Sequence, residues 1–130
     1  MTLSPVQLEG LERRLRQREQ ELRAEMQELA HRSTEERFTR IASEVPDTED
    51  AALADVVIDV NNASIQRDAQ ELKSIEEALA RLAAGTYGLC FRCGNPIPPE
   101  RLMAMPAARY DATCQRLEEH ERGLPRTPRL

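Results

Sequence analysis

Two long segments with helical apolar periodicity, separated by a single proline, constrain the fold of this chain more than any other feature. Ser4 is placed to cap the first helix, and Pro5 suits its first position. Pro46 ends this helix, because proline disfavours helical geometry in the residue before it. Between these points apolar residues recur at three- and four-residue steps, the spacing of a helix face that packs against a partner: Leu8, Leu11, Leu15, Leu22, Met26 and Leu29.

The second helical segment begins near Thr48 or Asp50 and continues to about Ala84, and Gly85 provides its C-terminal stop. Two helices of about 35 residues, each on the order of 50 Å long, lie antiparallel when a short turn joins them. A generic spacer or dimer surface of this architecture is the alternative. The apolar seam predicted for the second helix consists of Leu53, Val56, Val57, Val60, Leu72, Ile75, Leu79 and Leu82.

Composition and charge narrow the classes of function. Aromatic residues make up 3% of the chain, which argues against a large globular core, whereas 32% charged residues are typical of long solvated helices. Residues 41–80 carry ten acids and two bases, so this segment should be repelled by phosphates. The charge therefore favours a protein partner with a basic surface over nucleic acid.

The sequence predicts a cytoplasmic protein that does not enter a membrane. No apolar run approaches the roughly 20 residues that span a bilayer, and the N-terminus lacks the layout of a signal peptide. Three cysteines, two of them in a CxxC, fit a metal site in a reducing compartment better than a disulfide framework.

The cysteines and one aspartate form the pattern C-x2-C-x17-D-x2-C, in Cys90, Cys93, Asp111 and Cys114. Tetrahedral zinc takes two close ligands from each of two distant turns and accepts carboxylate oxygen as well as thiolate. The pattern predicts a zinc site, weakened by the loss of one soft ligand. Three alternatives remain open: a metal-free finger held by packing, Asp111 acting as the cap of the helix that follows it, and a redox pair of Cys90 and Cys93.

Catalysis by this chain is not expected. The sequence has no Ser/His/Asp set, no glycine-rich phosphate loop and no HExxH motif, and its two histidines lie far apart. We therefore interpret the chain as a binding protein and not as an enzyme.

The turn between the helices carries Asp47, Glu49 and Asp50. Taken alone, acids at a helix start have a simple explanation, since they cap amides and complement the helix dipole. In combination with the finger, however, the chain resembles the DksA/TraR family of RNA polymerase regulators over about residues 5–122. The matching residues are Asp47, Asp50 and Ala52 of a DxxDxA tip, the segment 87–94, and Arg101, Leu102 and Pro106 of the finger.

The fold expected from these observations is all-α dominated, a long antiparallel coiled-coil hairpin with a small C-terminal zinc-ribbon-like finger and a short terminal helix. We assign residues 1–85 to the hairpin, with its acidic tip at 44–52, and residues 86–122 to a DksA/TraR-type zinc-finger head. The terminal helix runs from Ala112 to about Arg122, and residues 123–130 form a disordered tail.

The resemblance implies a function. Such proteins bind RNA polymerase directly, insert the coiled coil through its secondary channel and do not bind promoter DNA. By implication, Asp47, Asp50 and Ala52 contact mobile elements of the polymerase active centre, and the chain acts as a monomer. Arg67 matches one basic residue by which longer members bind (p)ppGpp, the stringent-response nucleotide. Ser74, Met105 and Gln115 stand where the other basic residues are expected, so a weak or absent (p)ppGpp response is predicted.

Three other functions are weighed against this one. The first is a stress-linked adaptor that keeps the fold but has lost control of polymerase. The second is a zinc-ribbon nucleic-acid binder, for which the finger offers only Arg92, Arg101 and Arg109 with little to stack on. The third is stimulation of transcript cleavage through paired acids that hold a second magnesium ion in the polymerase centre.

Overall fold

The computed structural model describes residues 3–42 and 48–123, and within these residues it contains helices and no β-strand. Leu89 and Pro96 form an isolated antiparallel bridge. None of the described helices combines the length and the apolar character needed to cross a membrane. The predicted fold class is confirmed: two long helices pack as a hairpin and are followed by a small finger and a short terminal helix. The helices of the described residues are α1 (Pro5–Ala42), α2 (Thr48–Ala84), α3 (Pro99–Ala104) and α4 (Ala112–Glu121).

The start of α1 and the end of α2 are those that the sequence predicts, whereas the predicted end of α1 at Pro46 lies outside the described residues. The backbone N–H of Ser4 donates to Gln7 Oε1 at 2.9 Å, and the N–H of Gln7 donates to Ser4 Oγ at 3.2 Å. This reciprocal pair is a capping box, with Pro5 at the first helical position. At the end of α2, Gly85 has a φ of +76°, and the N–H of Thr86 donates to the carbonyl of Arg81 at 2.9 Å. A left-handed glycine followed by this bond terminates a helix.

The chain divides into two compact units. The first consists of Met1–Arg16 and Ser74–Leu130. In it Leu11 and Leu15 of α1 are buried, as are Ile75 and Ala78 of α2. The finger in this unit has a small core of its own, made of Cys90, Ile97, Leu102 and Cys114, with Leu3, Tyr87, Ala108 and Tyr110 packed against it.

Helix α3 in this unit is not among the helices predicted from the sequence. Its sequence contains the relevant features, because Pro99 occupies the first turn and Glu100 adds an acid there. Six residues are too few to show an apolar period, and the helix is fixed by burial of Leu102 in the finger core.

The second unit is Gln17–Lys73, which contains the remaining parts of α1 and α2. Leu22 is fully buried in it. Arg18 of α1 donates to Glu71 of α2 through Nε at 2.7 Å and through a terminal nitrogen at 3.0 Å. A residue early in α1 thus meets one late in α2, as the predicted antiparallel hairpin requires.

The apolar seam predicted for the first half of α2 is wrong at three positions. Leu53, Val56 and Val60 are 63%, 56% and 58% exposed, whereas Ile58 and Asn61 are only 7% and 9% exposed. The face of α2 that is buried is set by its pairing with α1, and in this unit that face carries Ile58 and Asn61. The seam holds further along the helix, where Ile75 is buried and Leu72, Leu79 and Leu82 are half-buried.

Candidate metal centre

The first half of the candidate centre is a tight turn that carries Cys90 and Cys93. The N–H of Cys90 donates to the carbonyl of Asn95 at 2.9 Å, and the N–H of Gly94 donates to the carbonyl of Cys90 at 3.0 Å. These bonds fold the chain back on itself, so that both thiols of the CxxC lie on the same side of the turn.

The second half is the start of α4. Asp111 is the N-cap of this helix, and its Oδ1 accepts a hydrogen bond from the backbone N–H of Cys114 at 2.7 Å. The N–H of Phe91 donates to the carbonyl of Arg109 at 2.8 Å, which fastens the first turn to the segment leading into α4. These backbone hydrogen bonds join the two halves of the candidate centre.

The structure brings all four predicted ligands together. One sulfur each from Cys90, Cys93 and Cys114 and one oxygen of Asp111 lie within 4.8 Å of one another. A tetrahedral zinc with metal–sulfur bonds of about 2.3 Å has ligand atoms about 3.8 Å apart, so the group is close to the size required. The residues present fit a closed four-ligand site, which would cross-link the two turns.

Burial and hydrogen bonding also suit this role. Cys90 and Cys114 are buried, Asp111 is half-buried and Cys93 is exposed. The thiol of Cys93 donates to Asp111 Oδ2 at 3.3 Å, while Oδ1 of the same carboxylate caps α4. Capping, one of the alternatives for Asp111, is thus present, and it leaves the second oxygen facing the cysteines.

The titration of the four groups reflects how closely they are packed. Burial raises the pKa of Cys90, but backbone N–H groups of the finger lower it more, to about 7. Burial and the neighbouring Asp111 carboxylate raise the pKa of Cys114 to about 12. The N–H of Cys114 lowers the pKa of Asp111, and the Cys93 thiol lowers it further. A cation among these groups would favour thiolate at all three cysteines, since a coordinated thiol loses its proton.

The polar contacts that support the finger were not predicted from the sequence. Arg92 pairs with Glu118 at 3.1 Å and with Glu121 at 2.6 Å, joining the CxxC turn to α4. The sequence held one signal for these ion pairs: Arg92 is a base inside the CxxC, and acids recur on the helix that becomes α4.

Two further arginines of the finger also have intramolecular partners. Arg101 Nε donates to the carbonyl of Tyr110 at 2.9 Å, and Arg109 pairs with Glu77 of α2 at 2.7 Å. These arginines therefore stabilise the finger itself.

The last turn of α2 is attached to the finger through Arg81. Its guanidinium donates to the carbonyl of Leu89 at 2.8 Å and lies 4.0 Å from the ring centroid of Phe91. The Phe91 ring meets Tyr110 edge to face with centroids 6.1 Å apart. The first turn of the centre is thus held against α2.

The other predicted site residues lie away from this centre in sequence. Asp47 falls outside the described residues; Asp50 and Ala52 belong to the first two turns of α2, but their side chains are outside the described part. Arg67 is exposed and donates to Ser64 Oγ at 3.1 Å. At the positions predicted to lack a nucleotide-binding cation, Ser74 is half-buried and Met105 is 51% exposed, while Gln115 donates to Glu119 at 3.0 Å.

Comparison with known proteins identifies the finger and the fold. Residues 85–120 match the family described as prokaryotic dksA/traR C4-type zinc finger. The structure is similar to that of the transcription factor DksA2 from Pseudomonas aeruginosa, with a TM-score of 0.73 and 28% identity, covering 92% of this chain and 88% of that one.

Two curated relatives align over shorter stretches. An uncharacterized protein of Aquifex aeolicus is 34% identical over 95 residues, which are 73% of this chain and 66% of that protein. General stress protein 16O of Bacillus subtilis is 42% identical over 48 residues, 37% of this chain and 29% of its own length. The chain thus spans less than two thirds of the length of either relative.

The finger match lies on the segment that carries Cys90, Cys93, Asp111 and Cys114, and the likeness to DksA2 extends over both long helices. Residues 85–120 therefore belong to the DksA/TraR C4-type zinc-finger family, with Asp111 in place of the third cysteine, and the fold of the chain is similar to that of DksA2.

Proposed function

We propose that this protein is a transcription regulator that binds RNA polymerase directly and inserts the acidic end of its helical hairpin through the secondary channel. The observation that carries the proposal is the likeness to the transcription factor DksA2 over 92% of the chain, because it includes both the hairpin and the finger. Asp47, Asp50 and Ala52, which match the family's DxxDxA motif, would act at the polymerase active centre.

Charge supports this mechanism. Residues 48–66, which include the first half of α2, contain the acids Glu49, Asp50, Asp55 and Asp59 and no lysine or arginine. An acidic helix segment of this kind is attracted into a basic channel and repelled by DNA. The regulator therefore acts without binding promoter DNA, and it changes the stability of promoter complexes without catalysis of its own.

Zinc belongs to the proposal as a structural ion. Cys90, Cys93, Asp111 and Cys114 would hold it, and its contribution would be to lock the finger against α4. We further propose that the protein acts as a monomer in the cytoplasm.

The response to (p)ppGpp is proposed to be weak. Arg67 is the cation that matches the family's nucleotide site, while Ser74, Met105 and Gln115 cannot pair with phosphate as cations. If (p)ppGpp enhanced inhibition by this protein as much as by a long family member, this part of the proposal would be wrong.

A stress-linked adaptor of the same fold is the second candidate, favoured by the name of the Bacillus relative, general stress protein 16O. A nucleic-acid binder is less well supported, because Arg92, Arg101 and Arg109 of the finger all have intramolecular partners. Binding of DNA that weakens steeply with salt would favour that function instead.

The decisive experiment is multi-round transcription by purified polymerase from a ribosomal RNA promoter. Wild type should inhibit, and Asp50→Asn should bind polymerase yet fail to inhibit, because asparagine keeps the shape and the capping ability but removes the charge. Glu49→Gln, which neutralises the adjacent acid outside the DxxDxA motif, is the matched control and should inhibit like wild type.

Each other outcome has a clear meaning. Equal loss of inhibition in both variants would mean that general charge matters and that the motif does not. If wild type neither binds polymerase nor inhibits, the secondary-channel function is wrong and the adaptor becomes the leading candidate.

A further inference from the structure

The first half of α2 presents an apolar stripe to solvent. Leu53, Val56 and Val60 recur at steps of three and four residues, so they lie along one side of the helix, and each is more than half exposed, at 63%, 56% and 58%. We refer to these three residues as the α2 stripe. A row of large apolar side chains on one exposed helix face is typical of a protein contact site.

Two polar side chains are buried in the same unit, where apolar residues would be expected. Asn61 of α2 and Ser33 of α1 are buried, and neither Asn61 Nδ2 nor Ser33 Oγ has a hydrogen-bond partner among the described residues. Buried polar atoms without partners destabilise a fold, whereas burying the two valines instead would stabilise it. This unit therefore buries polar residues between its helices while apolar residues of α2 remain exposed to solvent. The arrangement indicates that the exposed face has a function.

Charge indicates what covers the α2 stripe. Asp55 and Asp59 are exposed and lie one helical turn apart, so their carboxylates line one edge of the stripe. No lysine or arginine occurs between residues 48 and 66. A second copy of this chain would place its own acids against these, which disfavours self-association through the stripe. A surface that is apolar at its centre and carries lysines or arginines at its edge is complementary.

We propose that the α2 stripe is a second docking surface for RNA polymerase, contacting an apolar and basic wall of the channel that the hairpin enters. This inference rests on the proposed function and extends it, since it assigns binding affinity to the side of α2 and leaves the effect on transcription to the tip. Leu53 comes directly after Ala52 of the DxxDxA motif, so the two surfaces are continuous along one helix.

The test is the affinity for immobilised polymerase of a Val56→Gln, Val60→Gln double variant. Glutamine favours helices more than valine does, and both side chains are exposed, so the variant should fold. We expect about tenfold weaker binding, because two apolar contacts are lost from an interface. Val6→Gln replaces a valine that is 76% exposed on α1 and serves as the matched control, which should bind like wild type.

The charged edge is tested separately. Asp55→Asn with Asp59→Asn should slow association and reduce its dependence on salt, because rim charges act mainly on the association rate. Unchanged salt dependence would contradict the basic partner surface proposed here.

The outcomes separate this inference from the proposed function. If wild type and the valine double variant bind polymerase equally well, the stripe is not a docking surface and the tip mechanism stands. If wild type does not bind polymerase, both proposals are wrong. If light scattering shows a wild-type dimer that the double variant converts to a monomer, the stripe joins two copies of this chain and the present inference is overturned.

Discussion

Asp111 Oδ1 accepts a hydrogen bond from the backbone N–H of Cys114 at 2.7 Å. One candidate metal ligand, Asp111, thus caps α4, the helix that carries another candidate ligand, Cys114. A cysteine at position 111 would offer a metal a softer ligand but would cap the helix less well. The aspartate thus fixes the start of α4 through one oxygen and faces the cysteines with the other.

Substitutions of Asp111 should separate its two roles. Asp111→Cys completes a four-cysteine set and should raise zinc affinity by about tenfold or more, because thiolate is the softer ligand. Asp111→Asn can still cap α4 but loses its negative charge, so zinc affinity should fall by about tenfold. Competition with a chromophoric chelator measures both affinities.

Circular dichroism in EDTA is the control for the second variant, since the helix content of Asp111→Asn should match that of wild type. Zinc binding by Asp111→Asn as tight as that of wild type would show that the carboxylate is not a ligand.

The buried amide of Asn61 offers a gain in stability. Asn61 is 9% exposed, and its Nδ2 has no hydrogen-bond partner among the described residues. Asn61→Leu should therefore raise the free energy of unfolding by about 1 kcal/mol. Asn62→Leu, at an exposed position next to it, is the control and should give no such gain in urea unfolding. Equal effects of the two variants would indicate that only helix propensity had changed.

A side chain at Gly88 should destabilise the finger. Its φ is +90°, and an added Cβ would lie 3.3 Å from Leu102 Cδ1 in the finger core. Gly88→Ala should lower the free energy of unfolding by about 1–2 kcal/mol through backbone strain. Gly10→Ala provides the contrast, because Gly10 lies inside α1 with nothing within 4 Å of an added Cβ. That change should stabilise the protein by about 0.5–1 kcal/mol, and thermal unfolding measures both.

The ion pair of Arg18 and Glu71 should give the hairpin a dependence on pH. Hydrogen bonds from Arg18 hold the pKa of Glu71 below its ordinary range, although partial burial opposes this. A pKa lowered by folding stabilises the protein above the unfolded-state value and loses this effect as pH falls through the folded-state value. The advantage of wild type over Glu71→Gln should therefore be present at pH 7 and decline progressively as the pH falls below about 4.

The gain in the free energy of unfolding should stay below about 1 kcal/mol, because the side chains of Arg18 and Glu71 are 44% and 43% exposed, respectively. Glu25→Gln, which removes another exposed acid of the same unit, controls for the change in net charge. A constant difference between wild type and Glu71→Gln from pH 7 to pH 3 would contradict the assignment.

Local chemistry made some parts of the structure predictable. Ser4, Pro5 and Gly85 define helix ends through their own backbone preferences, so those ends follow from the sequence. The four candidate ligands were also predictable, because the C-x2-C and D-x2-C pairs match the spacing that a tetrahedral ion requires.

The errors arose where the outcome depends on pairing between elements. Val56 and Val60 look like seam residues, yet the face of α2 that meets α1 carries Ile58 and Asn61. The periodicity of apolar residues predicts that a segment is helical, but it does not predict which face of the helix packs against its partner. The contacts of Arg92 with α4 were missed for a related reason, since they join residues 26 and 29 positions apart.

Leu3 packs against the finger core of Cys90, Ile97, Leu102 and Cys114, which has a practical consequence for handling the protein. A polyhistidine tag fused to the N-terminus would start only a few residues from two of the candidate metal ligands, and imidazole is itself a good ligand for zinc. Zinc stoichiometry measured on such a fusion would count ions held by the tag. Metal analysis should therefore use protein from which the tag has been cleaved.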